Sequence, residues 1–229
     1  MIPTDDEIAA VVECFRGGWL TQGPRVRELE TVLGDLFGCH VRAVGTPTAA
    51  LQLALRVLDV GSGDDVLVSP AVATSARVIV ASSGATPVVG TLEGISSRTA
   101  AVVVDRHRGS DLVELRRACD AHGVRIIEEV TGLLDGRPAE VGGDLAYLSL
   151  AAPLGVGSGG AVLTASEALA DRVASLRSHA MTSGTWERHH GREETYDVVD
   201  LGYNHRFDEP RAVLALRRMA VLGARVQTR

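Results

Sequence analysis

The chain has 229 residues, of which 45% are hydrophobic, and carries a formal net charge of −6. This length is enough for one large domain or for a domain with a small appendage, and the acidic balance excludes the basic surface that is typical of nucleic-acid-binding proteins. The sequence shows neither an apolar stretch of membrane-spanning length nor a signal-like N-terminus, so we expect a cytoplasmic protein without a membrane partner.

The basic and thiol side chains limit the kinds of covalent and metal chemistry that the chain can perform. All 23 basic residues are arginines. A Schiff base requires an amine that can lose its proton, and a guanidinium stays charged, so no side chain here can form one. The three cysteines, Cys14, Cys39 and Cys119, share no CxxC spacing. We therefore expect reduced thiols rather than a disulfide or a zinc site.

The hydrophobic pattern predicts two N-terminal helices, then alternating strands and helices, and a final helix. Thr48 is the expected N-cap of the third helix and Asp208 that of the last one. Residues 180–200 lose periodicity and are predicted to form a loop. In chain order the predicted elements are helix 4–16, helix 24–37, strand 41–44, helix 49–58, strand 66–69, helix 73–83, strand 86–90, strand 100–105, helix 111–123, strand 124–129, strand 145–150, strand 160–164, helix 165–177 and helix 208–226.

The predicted strands are almost entirely apolar, as expected for a sheet that helices cover on both faces. Their alternation with helices predicts an α/β fold with a largely parallel sheet. We expect a single domain over residues 1–229, with N-terminal helices in 4–38, an α/β core in 41–178, and a loop and final helix in 179–229.

Four segments together resemble the DegT/DnrJ/EryC1/StrS family of sugar aminotransferases, which have the type I pyridoxal phosphate (PLP) fold. They are GGWLTQGPRVRELE (17–30), GTPTAALQLAL (45–55), HGVRIIEE (122–129) and LGYNHRFDE (201–209). The resemblance implies a three-layer fold with a mostly parallel seven-stranded sheet, and a dimer whose active sites are built from both subunits. Family chains continue into a smaller C-terminal domain, which we expect to be absent from this chain.

The resemblance also carries the cofactor site over position by position. The turn that binds the cofactor phosphate corresponds to Gly45–Thr48, where Pro47 lacks one backbone N–H donor. The aromatic residue that stacks on the pyridine ring falls at Ala73, and the aspartate that pairs with the pyridinium nitrogen falls at Glu129. The polar residue beside that aspartate corresponds to Gly132.

In relatives, a lysine forms the internal aldimine, and its position here is Ala152, just before Leu154-Gly155. The resemblance implies that the glycines of 155–160 let the backbone pass close to the cofactor and the partner subunit. The lysine, the stacking ring and part of the phosphate site are replaced. We therefore expect that neither PLP nor its amine form is used, and that the protein needs no cofactor.

Polar residues at the carboxyl ends of the strands are the remaining candidates, because such sheets present ligands there. His107 and Glu129 are candidate catalytic residues, and Arg106 is a candidate substrate-binding residue. Glu128 and Glu129 point to opposite faces of their strand and cannot act as a same-face pair. The alternative is that these glutamates form structural ion pairs with Arg106 or Arg125, and that His107 is a solvated loop residue.

The resemblance implies that residues 180–205 reach the partner's active site. His205 is therefore a third candidate catalytic residue, while His179 and Asn204 are candidates for substrate binding, together with the hydroxyls of Thr46 and Thr48. A capping or surface role remains the alternative. The adjacent histidines of 187–190 lack the helical spacing of a metal site, so no metal is expected.

Two functions follow. The first is a PLP-independent, aminotransferase-like enzyme of specialised-metabolite biosynthesis, of the antibiotic or sugar type, that reuses the former pocket for cyclisation, dehydration or isomerisation of a small molecule. The second is a non-catalytic pseudo-aminotransferase that acts as an auxiliary or heterodimer partner of another pathway enzyme. Neither involves nucleic acid, and the assembly is expected to be a homodimer or a heterodimer with a related protein.

Overall fold

The structure is a computed structural model that describes residues 2–107, 111–184, 186, 189, 191 and 195–227. Its centre is a seven-stranded sheet of order β1-β7-β6-β5-β4-β2-β3. The strands are β1 (His40–Val44), β2 (Asp65–Val68), β3 (Thr86–Val89), β4 (Thr99–Asp105), β5 (Arg125–Glu129), β6 (Leu145–Ser149) and β7 (Gly160–Thr164). β7 runs antiparallel to both β1 and β6, and the other neighbours are parallel. The predicted seven-stranded, largely parallel sheet is confirmed.

Eight helices of the described chain surround this sheet. Their bounds are α1 (Asp5–Arg16), α2 (Pro24–Phe37), α3 (Pro47–Val57), α4 (Thr74–Ser82), α5 (Leu112–Asp120), α6 (Ala151–Leu154), α7 (Glu167–Leu176) and α8 (Glu209–Gln227). The predicted ends of α1 at residue 16 and of α2 at residue 37 are confirmed. Gly17 caps α1 in a right-handed conformation, and Gly38 caps α2 in a left-handed one. Asp208 caps α8 as predicted, because its Oδ1 accepts a hydrogen bond from the Arg211 amide at 3.0 Å.

The predicted N-cap of α3 is wrong by two residues. Thr46, not Thr48, caps the helix, and its hydroxyl accepts a hydrogen bond from the Ala49 amide at 3.0 Å. Pro47 is the first helical residue. A proline is tolerated there because that position has no intrahelical N–H partner to lose.

The helices form two layers, one on each side of the sheet. Apolar residues of α3, α4 and α7 pack against one face, with Leu53 and Val173 fully buried. Residues of α2, α5, α6 and α8 cover the other face, where Leu29 and Cys119 are fully buried. The carboxyl ends of the parallel strands are thereby held between two packed layers.

The C-terminal helix α8 is fixed to the rest of the fold by a buried ion pair. Arg218 of α8 donates to both carboxylate oxygens of Glu7 in α1, at 2.9 and 3.0 Å. Its third nitrogen donates to the carbonyls of Leu154 and Gly155, at 2.7 and 2.8 Å. One guanidinium therefore joins α1, α6 and α8. Among the described residues, no helix is both long enough and apolar enough to cross a membrane.

Candidate active site

Two carboxyl groups lie side by side at the carboxyl ends of β4 and β5. Asp105 and Glu129 are register partners on these neighbouring parallel strands, so their side chains share one face of the sheet. Thr131 donates to Glu129 Oε1 through its hydroxyl and, at 3.2 Å, through its backbone amide. Tyr147 of β6 is the next register partner of Glu129 and is almost fully buried. These four residues form what we call the carboxyl-pair site.

The surroundings of Glu129 favour its protonated form. Burial raises the pKa of Glu129 most strongly, and the Thr131 hydrogen bonds oppose this rise. The neighbouring carboxyl of Asp105 raises the pKa of Glu129 further, by charge repulsion and by a hydrogen bond between the two side chains. Burial also raises the pKa of the Tyr147 hydroxyl. A carboxyl pair that keeps one proton contains both a proton donor and a proton acceptor.

The raised pKa of Glu129 predicts a pH dependence of stability. A carboxyl whose folded pKa lies above its ordinary 4.5 contributes stability that is complete below that pH and is lost as the pH rises through the folded pKa. Glu129→Gln should remove this loss. Between wild type and variant, the slopes of unfolding free energy against pH should differ by up to about 1.4 kcal/mol per pH unit above pH 4.5.

Denaturant titrations over a pH series measure these slopes. The exposed Glu114 of α5 provides the control variant Glu114→Gln, which should behave as wild type. Parallel curves for wild type and Glu129→Gln would show that Glu129 has an ordinary pKa in the folded protein.

The neighbouring Glu128 has a structural role on the opposite face of β5. It is fully buried, and its Oε2 accepts a hydrogen bond from Arg106 Nε at 2.9 Å. Its Oε1 accepts one from the Gly142 amide at 2.9 Å. The expected ion pair between Glu128 and Arg106 is confirmed, whereas Arg125 binds Asp144 instead. Arg106, a candidate for substrate binding, is thus held by Glu128 on the face away from Glu129.

His107 lies at the exposed end of the site. Its side chain is 73% exposed, and its Nδ1 is 4.0 Å from Asp105 Oδ2. This distance is too long for a direct hydrogen bond but leaves the imidazole next to the carboxyl pair. Its sequence neighbour Arg108 lies outside the described residues.

His205 has partners of its own. Its ring stacks on Tyr203, with 4.9 Å between centroids and 3° between planes, and its Nε2 is 2.9 Å from Gln52 Oε1. An amide oxygen only accepts, so the imidazole donates from Nε2. Burial lowers the pKa of His205 and favours its neutral form. Its contacts are therefore with α3 and Tyr203 rather than with the carboxyl pair.

The four candidate binding residues outside the strand ends are placed in two groups. The hydroxyls of Thr46 and Thr48 lie 3.0 Å apart at the start of α3, where Thr46 is engaged in capping. His179 and Asn204 are exposed, and Asn204 forms a β-bridge with Ser178, the residue before His179. His179 has a positive φ of 65°. Within the described part of the chain, no hydrogen bond joins these residues to Glu129, so a binding role for them stays a prediction.

The residues present do not fit covalently held pyridoxal phosphate. Ala152 is exposed on the single turn of α6 and offers a methyl group where an amine is needed. Ala73 is an exposed residue before α4 and offers no aromatic ring. The Glu129 carboxyl, at the position that would face the ring nitrogen, accepts hydrogen bonds from Thr131 and lies beside Asp105. The polar side chains of this site therefore interact with one another rather than with a cofactor.

The glycines before β7 have a packing role. A Cβ on Gly160 would lie 2.7 Å from both Pro47 Cα and Thr46 O, which are backbone atoms at the start of α3. A Cβ on Gly159, whose φ is 145°, would lie 2.7 Å from the Phe207 ring. The resemblance implied glycines that admit the cofactor and the partner subunit, whereas these two admit α3 and Phe207.

This contact predicts a large difference between two glycine substitutions. Gly160→Ala should lower the free energy of unfolding by about 3 kcal/mol. The new Cβ would clash with backbone atoms of Thr46 and Pro47, which cannot move aside as a flexible side chain can. Gly157→Ala is the matched control, since a Cβ on Gly157 would meet no atom within 4 Å. Its only cost is the strain of an alanine at a positive φ of 80°. It should cost about 1 kcal/mol. Equal losses in thermal or denaturant unfolding would show that Gly160 is not tightly packed.

The sequence did not identify the complete site. Asp105, Thr131 and Tyr147 were not predicted as site residues, although Asp105 and Glu129 are the last residues of their predicted strands, 100–105 and 124–129. Two predicted strands that both end in a carboxylate could have indicated the site, because such residues lie side by side when the strands are parallel neighbours. Among the described residues, no three His, Cys, Asp or Glu side chains are grouped closely enough to hold a metal ion. His190, of the adjacent histidines, lies outside the described residues.

Comparison with known proteins shows which family has this architecture. The family model "DegT/DnrJ/EryC1/StrS aminotransferase family" matches residues 2–229. The spore coat polysaccharide biosynthesis protein SpsC of Bacillus subtilis is 29% identical over 93% of this chain and 61% of its own length. The aminotransferase TlmJ from Streptoalloteichus hindustanus superimposes with a TM-score of 0.83 at 28% identity, over 96% of this chain and 64% of TlmJ.

A family aminotransferase from Brucella abortus superimposes with a TM-score of 0.80 at 27% identity, again over 64% of its chain. The present chain thus spans less than two thirds of the length of these relatives. The match to the family model extends over nearly every residue, and the fold superimposes on those of the solved structures. This chain belongs to the DegT/DnrJ/EryC1/StrS aminotransferase family.

Proposed function

We propose that this chain is a PLP-independent, aminotransferase-like enzyme of specialised-metabolite biosynthesis that performs acid–base chemistry on a sugar-type small molecule. The observation that carries the proposal is the pairing of Glu129 with Asp105 on neighbouring strand ends. In the family resemblance, Glu129 holds the position that pairs with the pyridinium nitrogen. Here a second carboxyl stands beside it, and the lysine position is Ala152.

The pair is suited to reactions that need one donor and one acceptor of protons. In a dehydration, the ionised carboxylate takes the proton from a carbon next to a carbonyl group. The protonated carboxyl gives its proton to the leaving hydroxyl, so that a C–H and a C–O bond break, a C=C bond forms and water leaves. The pair loses one proton and gains one, so no cofactor or oxidant is consumed. General acid–base catalysis of this kind contributes roughly 10²–10⁴-fold to a rate.

The surrounding residues support the same chemistry. Thr131 orients Glu129 through two hydrogen bonds, and the buried Tyr147 limits the access of water on the β6 side. His107, which is largely exposed beside Asp105, is placed to exchange protons between the pair and solvent. A sugar-type substrate is supported by the name of SpsC, a protein of polysaccharide biosynthesis.

Hydrogen exchange at carbon tests this function without knowledge of the final product. Purified protein, without added cofactor, is incubated in D₂O with keto sugars in free and nucleotide-linked form, and loss of the signal of the hydrogen next to the carbonyl is followed by ¹H NMR. We expect exchange of at least one of these sugars to be accelerated over a protein-free sample. Exchange at the protein-free rate for every sugar would count against an enzymatic role.

A second candidate function, a non-catalytic partner subunit, is favoured by one surface. Tyr196, Val198, Val199 and Leu201 lie close together in sequence and are 54–83% exposed. Exposed apolar patches of this kind are typical of protein interfaces. Co-purification with an intact family member tests it, with Leu201→Asp as the disrupting variant. A stable homodimer that is active alone would exclude this second function.

A further inference from the structure

An arginine-rich cavity lies beside the edge strand β1, away from the carboxyl-pair site. It has a volume of about 330 Å³, and its lining includes Arg27, Arg42, Arg177 and Arg206 together with Glu30 and Gln22. In the sheet order, β1 is three strands from β5, which is roughly 14 Å at ordinary strand spacing. Its volume falls at the lower end of the range of small-molecule sites, about 300–1,000 Å³.

Part of this cluster completes the edge of the sheet. The Ala43 amide of β1 donates to Glu30 Oε1 at 2.9 Å, and the Ala43 carbonyl accepts from Arg177 Nη1 at 2.7 Å. Arg177 and Glu30 also form an ion pair with each other. These contacts explain why one arginine and one glutamate are present here, but they do not account for the rest of the cavity.

Arg177 has a donor left over after this structural role. Its side chain is only 4% exposed, and its Nε has no hydrogen-bond partner among the described residues. The Gln22 side-chain oxygen, on the same cavity wall, is buried and without a partner as well. Leaving a buried polar group without a partner costs about 1–3 kcal/mol, so a ligand or a water molecule that bound either group would recover this free energy. The amide of Gln22 can present either its oxygen or its NH₂ group to a ligand.

The charge of the lining specifies an anion. Four arginines and one glutamate line the cavity in the part of the chain that the structure describes. Arg42 has its ion-pair partner, Asp171, on the exposed surface of α7, at 3.1 Å. A guanidinium presents several N–H donors in one plane and binds phosphate oxygens in pairs, which makes arginine the usual residue for phosphate recognition.

One wall of the cavity is aromatic. Trp186 lines it and packs edge-to-face against Trp19, with ring centroids 4.9 Å apart. The Arg27 guanidinium lies 5.7 Å from the centroid of the Trp186 ring. These are the only two tryptophans of the chain, so a ligand that enters the cavity beside Trp186 should change the tryptophan fluorescence.

We propose that this cavity is a binding site for a small phosphate-bearing anion, separate from the carboxyl-pair site. Arg27 and Arg42, whose side chains are not buried, supply the donors. The buried Arg177 adds positive charge, and Trp186 contacts the remainder of the ligand. The site is independent of the proposed catalytic function, because none of its residues belongs to the carboxyl pair.

Tryptophan fluorescence, supported by calorimetry, tests this site with inorganic phosphate and glucose 1-phosphate as probes. We expect saturable changes with both, and none with sodium chloride at equal ionic strength. Arg42→Gln and Arg27→Gln should each weaken phosphate binding about tenfold, the equivalent of one lost charge-assisted hydrogen bond. Both side chains lie outside the Arg177–Glu30 pair, so the variants should fold, which circular dichroism verifies.

Arg98→Gln is the matched control, because Arg98 is paired with Asp65 at the other end of the sheet. It should bind phosphate as wild type does. Unsaturable binding, wild-type affinity in both arginine variants, or tighter binding of malonate than of phosphate would each overturn the proposal. The last result would assign the cavity to a carboxylate instead.

Discussion

Replacing Arg218 with alanine should lower the free energy of unfolding by about 3–5 kcal/mol, the usual effect of removing one partner of a buried ion pair. The arginine is 4% exposed and makes two hydrogen bonds to Glu7. Its removal leaves the Glu7 carboxylate half-paired in a nearly buried position. It also leaves the carbonyls of Leu154 and Gly155, at the end of α6, without their donor.

The neighbouring Arg217 makes this experiment well controlled. Arg217 is on the same helix but exposed, so Arg217→Ala should change the free energy of unfolding by less than about 0.5 kcal/mol. Denaturant titration compares the two variants directly. Similar midpoints and slopes for Arg218→Ala and Arg217→Ala would contradict the role assigned to the buried pair.

Glu129→Gln should lower the rate of carbon-bound hydrogen exchange by about 10²–10⁴-fold, the usual contribution of general acid–base catalysis. Glutamine has the shape of glutamate and can still accept the Thr131 hydrogen bonds, but its amide has no acidic proton and cannot act as a general acid or base. The loss is therefore expected without unfolding. Asp105→Asn should produce a comparable loss, because the second member of the pair is removed.

Three further variants locate the chemistry. Glu114→Gln, on the exposed surface of α5, should exchange hydrogen at the wild-type rate. His107→Ala should reduce the rate less than Glu129→Gln, since solvent can replace an exposed proton relay. His205→Ala should also reduce the exchange rate less than Glu129→Gln, because it removes only a hydrogen bond to Gln52. If the three single variants Glu129→Gln, His107→Ala and His205→Ala all exchanged hydrogen at the wild-type rate, the assignment of the active site to these residues would be wrong.

The strands were predictable because burial on both faces makes each of them a continuous apolar run. β4 was predicted at 100–105 and is Thr99–Asp105, and β7 was predicted at 160–164 and has those bounds. α6 was not predicted, because a single turn of four residues has no periodicity to detect. The predicted N-cap of α3, Thr48, was wrong because the helix begins two residues earlier, at Pro47, with Thr46 as its cap.

The site was less predictable because its contacts are between distant parts of the chain. Glu129 was identified from its position at the end of β5, but its pairing with Asp105 depends on the register of β4 against β5. Arg106 was predicted as a substrate-binding residue, with an ion pair to a glutamate as the alternative, and the structure shows the ion pair with Glu128. The second partner of Glu128, the Gly142 amide, comes from a distant segment that no local pattern reveals. The arginine cavity draws its residues from α2, β1 and segments after α7, which no local pattern connects.

The most direct test of a carboxyl pair that acts without pyridoxal phosphate is the exchange rate with and without that cofactor. Protein freed of bound small molecules is assayed with the responsive keto sugar, first alone and then after pyridoxal phosphate is added, while its absorption spectrum is recorded. We expect the same rate in both samples, abolished by Glu129→Gln, and a spectrum that is the sum of protein and free cofactor. Exchange that begins only when pyridoxal phosphate is added, and that survives Glu129→Gln, would contradict the proposed function.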